Sequence, residues 1–162
     1  MLIVQAIKQL NHIAETLAVV AKEMKQLAFS LPEFPITISF FGVGEILASQ
    51  ILAEIGDVRR FSRKQSLVCF AGLELEGMQS GKSKKDGQIS KKGSPHLRKA
   101  LFQVMDCILK QSPINDPVYQ FLDRKRAEGK HYYNYMNAGA AKFLRIYYAR
   151  VKEYLNNLES AA

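Results

Sequence analysis

The sequence predicts an all-α protein in which an N-terminal coiled-coil-like helix precedes a compact helical domain. Three observations support this fold class. A seven-residue apolar repeat, uninterrupted by Pro or Gly, runs through residues 2–30. Helix-start signals such as Ser94-Pro95 stand before runs whose apolar residues recur every three or four positions. A long amphipathic pattern from about Tyr133 to Asn156 closes the chain.

The N-terminal repeat follows the a and d positions of four consecutive heptads. These positions hold Ile3, Ala6, Leu10, Ile13, Leu17, Val20, Met24 and Leu27. A strict repeat of this length favours a coiled coil with another helix, in a second copy or later in the same chain. The alternative is a long amphipathic helix that packs along its own domain. We therefore expect residues 1–31 to form a homodimer or higher oligomer, or to link to another domain.

Pro32 and Pro35 should end this helix, and the second predicted domain spans residues 36–156. The segment Gly42-Val43-Gly44 separates a short element, predicted as a helix rather than a strand, from an apolar helix that Gly56 terminates. This arrangement resembles a helix-hairpin-helix.

Glycines allow positive φ and a close backbone approach, and the N-terminus of the next helix attracts phosphate. Gly42 and Gly44 are therefore candidate nucleic-acid-binding residues. The alternative is an ordinary tight turn between two helices.

A short helix and a polar segment follow. Ser62 and Gln65 have the spacing of a capping box, which predicts a helix that ends at about Phe70. The segment from Glu74 to Gly93 is predicted as a loop or a small β-hairpin, because Asp86-Gly87 is a strong tight-turn signal.

Two further helices are predicted before the closing one. The first begins at Ser94-Pro95 and reaches about Lys110, and the second begins at Asn115 or Asp116 and stops before Gly129. The expected buried face of the first consists of Leu97, Leu101, Val104, Met105 and Ile108. The closing helix is expected to bury Ala140, Phe143, Leu144, Tyr147, Tyr148, Val151 and Leu155.

The net charge of +8 is concentrated in one part of the chain. The range 59–99 contains 11 Lys and Arg against 3 Asp and Glu, and the rest of the chain has 12 of each. A concentrated basic zone favours a polyanionic partner, nucleic acid first, over the alternative of a solvated surface that aids solubility. The candidate contacts in this zone are Lys82, Lys84, Lys85, Lys91, Lys92 and Arg98.

Other features predict little chemistry. Cys69 and Cys107 match no metal spacing and are interpreted as small core residues in a reducing, cytoplasmic protein. The N-terminus lacks the features of a signal peptide, and no apolar run is long enough to span a membrane.

The cluster Tyr132, Tyr133 and Tyr135 is better explained by packing than by a nucleophile or by base stacking. Ser80 lies among the lysines, but serines are common in polar loops, and His96 nearby lacks an acidic partner.

Five sequence blocks, in order, resemble one family. The blocks are "GVGEILASQILAEIGDVRRF", "LVCFAGLELEGMQSGK", "GQISKKGSPHLRKAL", "NDPVYQFLDRKRAEGK" and a closing basic-apolar helix. They resemble the C-terminal serine (Tnp) domain of insertion-sequence transposases that carry an N-terminal RuvC-like DEDD domain, the bridge-RNA-guided recombinases. The resemblance covers roughly residues 36–155, and the N-terminal heptads agree with a coiled coil between the two domains.

The resemblance implies a catalytic role for Ser80, in the "SG" pair after "AGL". That serine would attack a DNA phosphodiester and form a phosphoserine intermediate, and Mg²⁺ would be held by the DEDD domain. DNA and a guide RNA are the implied partners.

Two departures from the family pattern are visible. Glu74-Leu75 stands where the family usually has a proline two residues after "AGL", and residues 1–30 contain only Glu15 and Glu23 as acidic residues. We therefore expect an incomplete transposase that is inactive by itself. The alternatives are a non-enzymatic helix-hairpin-helix module that binds nucleic acid and dimerises, and an oligomerisation fragment of a decayed element.

Overall fold

The computed structural model describes residues 1–75 and 89–161. These ranges contain seven α-helices and no strand, which confirms the all-α fold class. The helices are α1 (Leu2–Phe29), α2 (Phe34–Ile38), α3 (Glu45–Ile55), α4 (Lys64–Phe70), α5 (Pro95–Gln111), α6 (Pro117–Ala127) and α7 (Tyr132–Ser160). A 3₁₀ turn over Val58–Arg60 joins α3 to α4.

Helix α7 is the centre of the domain, because α2, α4, α5 and α6 all pack against it. Every apolar position predicted for its inner face is buried, as is the predicted face of α5. Phe143 and Tyr147 lie under the ring of Phe40, with ring centroids 5.3 and 5.4 Å from it. The Tyr147 hydroxyl lies 3.2 Å from Thr37 Oγ1, which satisfies both buried polar groups and ties α2 to α7. Burial raises the pKa of Tyr147 to about 12, so its hydroxyl stays neutral.

The predicted helix starts are correct at two positions and wrong at one. Ser94 Oγ accepts from Leu97 N at 3.0 Å, and Asp116 Oδ1 accepts from Val118 N at 2.8 Å. The capping box at Ser62 is wrong. The N-cap of α4 is Arg63, whose backbone is extended, and Ser62 Oγ instead lies 3.3 Å from Ser66 Oγ.

The short element before the glycine turn is a helix, as predicted, but it begins at Phe34 and so includes Pro35 in its first turn. Proline is tolerated there because the first turn of a helix has no internal acceptor for its missing N–H. The glycine turn therefore connects a helix of one turn to the three turns of α3, which ends at Gly56 as predicted.

Among the described residues, helix α1 contacts the domain only near its C-terminal end. All of residues 1–23 are exposed, including Leu10 and Leu17 on the predicted seam. Contact with the domain comes from the last two turns, where Ala28 is buried and Lys25 forms an ion pair with Glu45 of α3. The alternative in which the whole helix packs along its own domain is therefore wrong.

Gly139 allows α6 to lie close against α7. A Cβ at this position would overlap the Leu122 side chain, with Leu122 Cγ at 3.0 Å and Met105 Sδ at 3.1 Å. Glycine in a helix interior normally costs about 1 kcal/mol relative to alanine. Its presence here is explained by helix packing.

We expect Gly139→Ala to lower the free energy of unfolding by about 1–3 kcal/mol, because the overpacking outweighs the gain in helix propensity. In a Leu122→Ala background, which removes the overlapping atoms, the same change should be neutral or stabilising. Chemical denaturation of the four proteins of this cycle measures the coupling between the two sites. An equal effect in both backgrounds would contradict the packing explanation.

Candidate functional site

The predicted site residues divide into two groups. Gly42, Gly44, Lys91, Lys92 and Arg98 lie within the described ranges. Ser80, Lys82, Lys84 and Lys85 lie outside the described residues, as does the predicted Asp86-Gly87 turn. The described part of the candidate site therefore consists of the residues that flank the range 76–88.

Residues 70–75 and 89–94, which we call the neck, run antiparallel to each other. Three backbone hydrogen bonds join the two sides. Ser90 N donates to Glu74 O at 2.8 Å, Lys91 N to Gly72 O at 3.1 Å, and Ser94 N to Phe70 O at 2.9 Å. An isolated antiparallel bridge pairs Leu75 with Ile89 at the outer end. The neck thus brings residues 75 and 89, which flank the range 76–88, close together. Apart from the isolated bridge, neither side of the neck forms a β-strand.

Two glycines make this close approach of backbones possible. Gly72 has a φ of +66°, a conformation that side chains disfavour. A Cβ on Gly93 would overlap Phe70 O and would lie 2.6 Å from Gly72 N. Glycine is therefore required on both sides of the neck, for a different reason on each.

Arg98 closes the inner end of the neck. Its Nη1 donates to Ala71 O at 2.9 Å and to Gly93 O at 3.2 Å, so one guanidinium nitrogen binds one carbonyl from each side. Its side chain is half-buried. Arg98 is thus part of the structure of the neck, and a contact with nucleic acid stays a prediction.

Glu54 of α3 forms a hydrogen bond with the last residue of the neck. Its Oε2 accepts a hydrogen bond of 2.7 Å from Ser94 Oγ, the same atom that caps α5. The bond links three elements, because Ser94 ends the neck and begins α5 while Glu54 lies in the last turn of α3. Hydrogen bonds to a charged partner are stronger than neutral ones.

The two cysteines are half-buried rather than core residues, which corrects the sequence-based interpretation. Cys69 Sγ donates to Glu74 Oε2 at 2.7 Å. This hydrogen bond, together with burial, raises the pKa of the Cys69 thiol, so the thiol stays protonated at neutral pH and is a weak nucleophile. Residues 1–75 and 89–161 contain no group of three or more His, Cys, Asp or Glu that could hold a metal ion.

Lys91 and Lys92 are exposed where the second side of the neck returns to the domain. Lys91 has a φ of +54°, which is uncommon for a residue with a side chain. Its N–H bond to Gly72 O holds this conformation while leaving the ammonium group in solvent. A contact of either lysine with nucleic acid stays a prediction.

The two glycines of the turn before α3 have different surroundings. Gly42 has a φ of +78°, and a Cβ there would lie 3.1 Å from Val104 O of α5, so packing explains this glycine. Gly44 is the extended N-cap of α3 and has open space where a side chain would be. Both glycines line an open cavity of about 550 Å³. Glu45 also lines it, and its carboxylate forms the ion pair with Lys25, so the negative charge beside the helix N-terminus is balanced by a cation of the same chain. A phosphate site at Gly42 and Gly44 stays a prediction.

The tyrosine cluster has the geometry of packing. Tyr135 is buried, and Tyr132 makes edge contacts with Tyr133 and Tyr135. The Tyr132 hydroxyl donates to Asp106 Oδ1 at 2.9 Å, and this bond raises the pKa of Tyr132 to about 12. A phenol with that pKa is poorly suited to act as a nucleophile near neutral pH.

The sequence analysis missed Gly72, Gly93 and Glu54 as residues that shape this region. The two glycines give a usable signal, because they bracket the polar segment on either side. Glu54 gives no such signal, since its partner Ser94 is 40 positions away and the contact depends on how α3 meets α5.

We expect Gly93→Ala to lower the free energy of unfolding by about 3 kcal/mol, because the added carbon meets backbone atoms that cannot rotate away. Gly44→Ala is the matched control. It also lies outside a helix interior but faces open space, so it should cost less than about 1 kcal/mol. Thermal and urea unfolding of both variants provide the measurement. Equal costs for the two changes would contradict the close contact at the neck.

Comparison with known proteins identifies the family of the chain. No curated protein matches it. A family model described as Transposase IS116/IS110/IS902 family matches residues 36–120, slightly more than half of the 162 residues. The matched range begins within α2, includes both sides of the neck and ends within α6. The chain therefore belongs to the IS116/IS110/IS902 transposase family.

Proposed function

We propose that this chain supplies the serine (Tnp) domain of an insertion-sequence transposase and that Ser80 is its nucleophile. The observation that carries the proposal is the family match, whose range contains Ser80 and both sides of the neck. The hydrogen-bonded neck supports it, because a nucleophile on a loop acts best when rigid elements fix the ends of that loop.

The proposed step conserves a phosphodiester bond. Ser80 Oγ attacks the phosphorus of a DNA strand, its proton passes to a base, and the bond from phosphorus to one deoxyribose oxygen breaks. The released oxygen takes up a proton and leaves as a hydroxyl. A DNA hydroxyl that attacks the phosphoserine in the reverse sense rejoins the strand and frees the serine, so no ATP is needed. A serine hydroxyl is a weak nucleophile, so the base that removes its proton is needed to activate it.

Charge stabilisation would come from two sources. The exposed Lys91 and Lys92, with Lys82, Lys84 and Lys85 in the range 76–88, are proposed to bind phosphates of DNA or of a guide RNA. The resemblance assigns Mg²⁺ to the carboxylates of a companion DEDD domain, so no residue of this chain is proposed as its ligand. Mg²⁺ bound there would neutralise charge that develops on the phosphate.

Ser80→Ala tests the nucleophile. With a matching DEDD domain, guide RNA, and donor and target DNA, the variant should lose recombination by at least about 1,000-fold and form no SDS-resistant protein–DNA adduct. Ser83→Ala, three residues away in the same basic segment, is the matched control and should recombine like the unmodified protein. Recombination by Ser80→Ala at the control rate would refute the assignment. Retained DNA binding without any adduct from the unmodified protein would instead support a non-enzymatic binding module.

We also propose that α1 pairs with α1 of a second copy. The a and d positions of its first three heptads are apolar and exposed, and a seam of this kind is stable only when another helix covers it. Residues 1–23 are exposed along the whole of this length, so the described part of the chain leaves the seam open to a partner helix.

Leu10→Glu/Leu17→Glu should convert an oligomer to a monomer, because both leucines occupy a positions of the seam. The control Asn11→Glu/Ala18→Glu adds the same charge one residue further along, at b positions that face outward, and should leave the mass unchanged. Light scattering over a range of protein concentrations measures the mass. A monomeric mass for the unmodified chain at the highest concentration would refute the pairing.

A further inference from the structure

A row of four cations lies along the seam between α4 and α7. We call Arg63, Lys64, Arg145 and Lys152 the α4–α7 strip. Arg63 and Lys64 stand at the start of α4 and are exposed. Arg145 and Lys152 belong to α7 and are half-buried. Only the first two fall in the basic window of the sequence, so the strip exists through folding alone.

Hydrogen bonds fix the α7 cations against the start of α4. Arg145 Nη2 donates to Gln65 Oε1 at 3.3 Å. One turn further, the Tyr148 hydroxyl donates to Phe61 O at 2.9 Å and accepts from Lys152 Nζ at 3.2 Å. Arg145 and Lys152 are therefore aligned with residues 65 and 61, and Arg63 and Lys64 lie between these two positions.

The strip has a defined length. Arg145 and Lys152 are seven residues apart on one helix face, a distance of about 10 Å at 1.5 Å per residue. Consecutive phosphates of one DNA strand advance about 3.4 Å along the duplex axis. Measured along the duplex axis, the strip therefore spans the rise of about three phosphates of one strand.

The positive charge of the strip is not neutralised within the described part of the chain. None of the ion pairs among residues 1–75 and 89–161 includes a strip residue. The acidic groups nearby have other partners: Asp57 and Glu159 both bind Arg59, and Glu74 accepts from Cys69. Glu153 follows Lys152 in sequence and is exposed, without an ion pair to the strip.

We propose that the α4–α7 strip binds the phosphate backbone of duplex DNA and leads it to the neck. This inference rests on the proposed function. DNA is favoured over RNA because α4, about 10 Å long, runs from the strip directly to Phe70 at the neck, where the proposed strand cleavage acts on DNA. Arg63 and Arg145 present guanidinium groups, which match phosphate geometry, and phosphate contacts of this kind hold a duplex without reading its sequence.

The double variant Arg63→Gln/Lys64→Gln tests the strip, because neither side chain supports the fold by a hydrogen bond or ion pair with another described residue. The matched control is Lys8→Gln/Lys22→Gln, which removes the same charge from outward f positions of α1. Binding of a random-sequence DNA duplex is measured over a salt series. The strip variant should reduce the slope of log K against log salt by about 2, and the control should leave it unchanged. Circular dichroism confirms that each variant is folded.

The outcomes separate the strip from the wider function. If the unmodified chain binds DNA and the strip variant binds with the same slope, or the control reduces the slope equally, the strip proposal is refuted while the proposed function stands. If the unmodified chain shows no salt-dependent binding of DNA, the nucleic-acid function itself fails. The same series with a structured RNA of equal length is the second arm. A reduced slope for RNA with an unchanged slope for DNA would overturn the assignment to DNA.

Discussion

The close packing of α7 against four other helices is the constraint on which the domain depends. Phe143, Tyr147 and Val151 are almost completely buried on its inner face. Gly139 lets α6 approach the same helix, and Thr37 satisfies the Tyr147 hydroxyl at the opposite wall. Burial of side chains of this size supplies most of the free energy of folding, at about 25 cal/mol per Å² of apolar surface. The neck and the proposed α4–α7 strip are therefore both positioned by helix α7.

The position of the neck depends indirectly on helix α7. Helices α4 and α5, which carry its two sides, both pack on α7, and this fixes the distance between Phe70 and Ser94. Gly72 and Gly93 then allow the backbones to touch, and Arg98 fills the inner corner with one nitrogen shared between two carbonyls. The neck is therefore positioned by helix packing and closed by its two glycines and Arg98.

The sequence predicted the helices well because their signals are local. Ser94 and Asp116 cap the helices they were predicted to start, and Gly56 ends α3, since each acts on residues within one turn. Ser62 failed because Arg63, rather than the residue with the capping spacing, takes the extended N-cap conformation.

Tertiary relations were harder to predict. Charge counting grouped Arg98 with the exposed lysines, although its guanidinium faces carbonyls of the neck. It also overlooked Arg145 and Lys152, which lie far away in sequence. Through helix packing Arg145 meets Gln65 directly, and Lys152 is linked to Phe61 by the Tyr148 hydroxyl. Sequence composition shows where charge is encoded, and packing decides which side chains share a surface.

Helix α3 connects two regions that otherwise have little in common. Glu45 in its first turn pairs with Lys25 of α1, and Glu54 in its last turn holds Ser94 at the neck. This eleven-residue helix is about 16 Å long and moves as one rigid unit, so a tilt at the Glu45 end also displaces the Glu54 end. Thermodynamic reciprocity then requires that, if association through α1 changes the position of α3, occupancy of the neck changes the strength of that association by the same factor. Oligomerisation and DNA engagement would in that case be two readouts of one equilibrium.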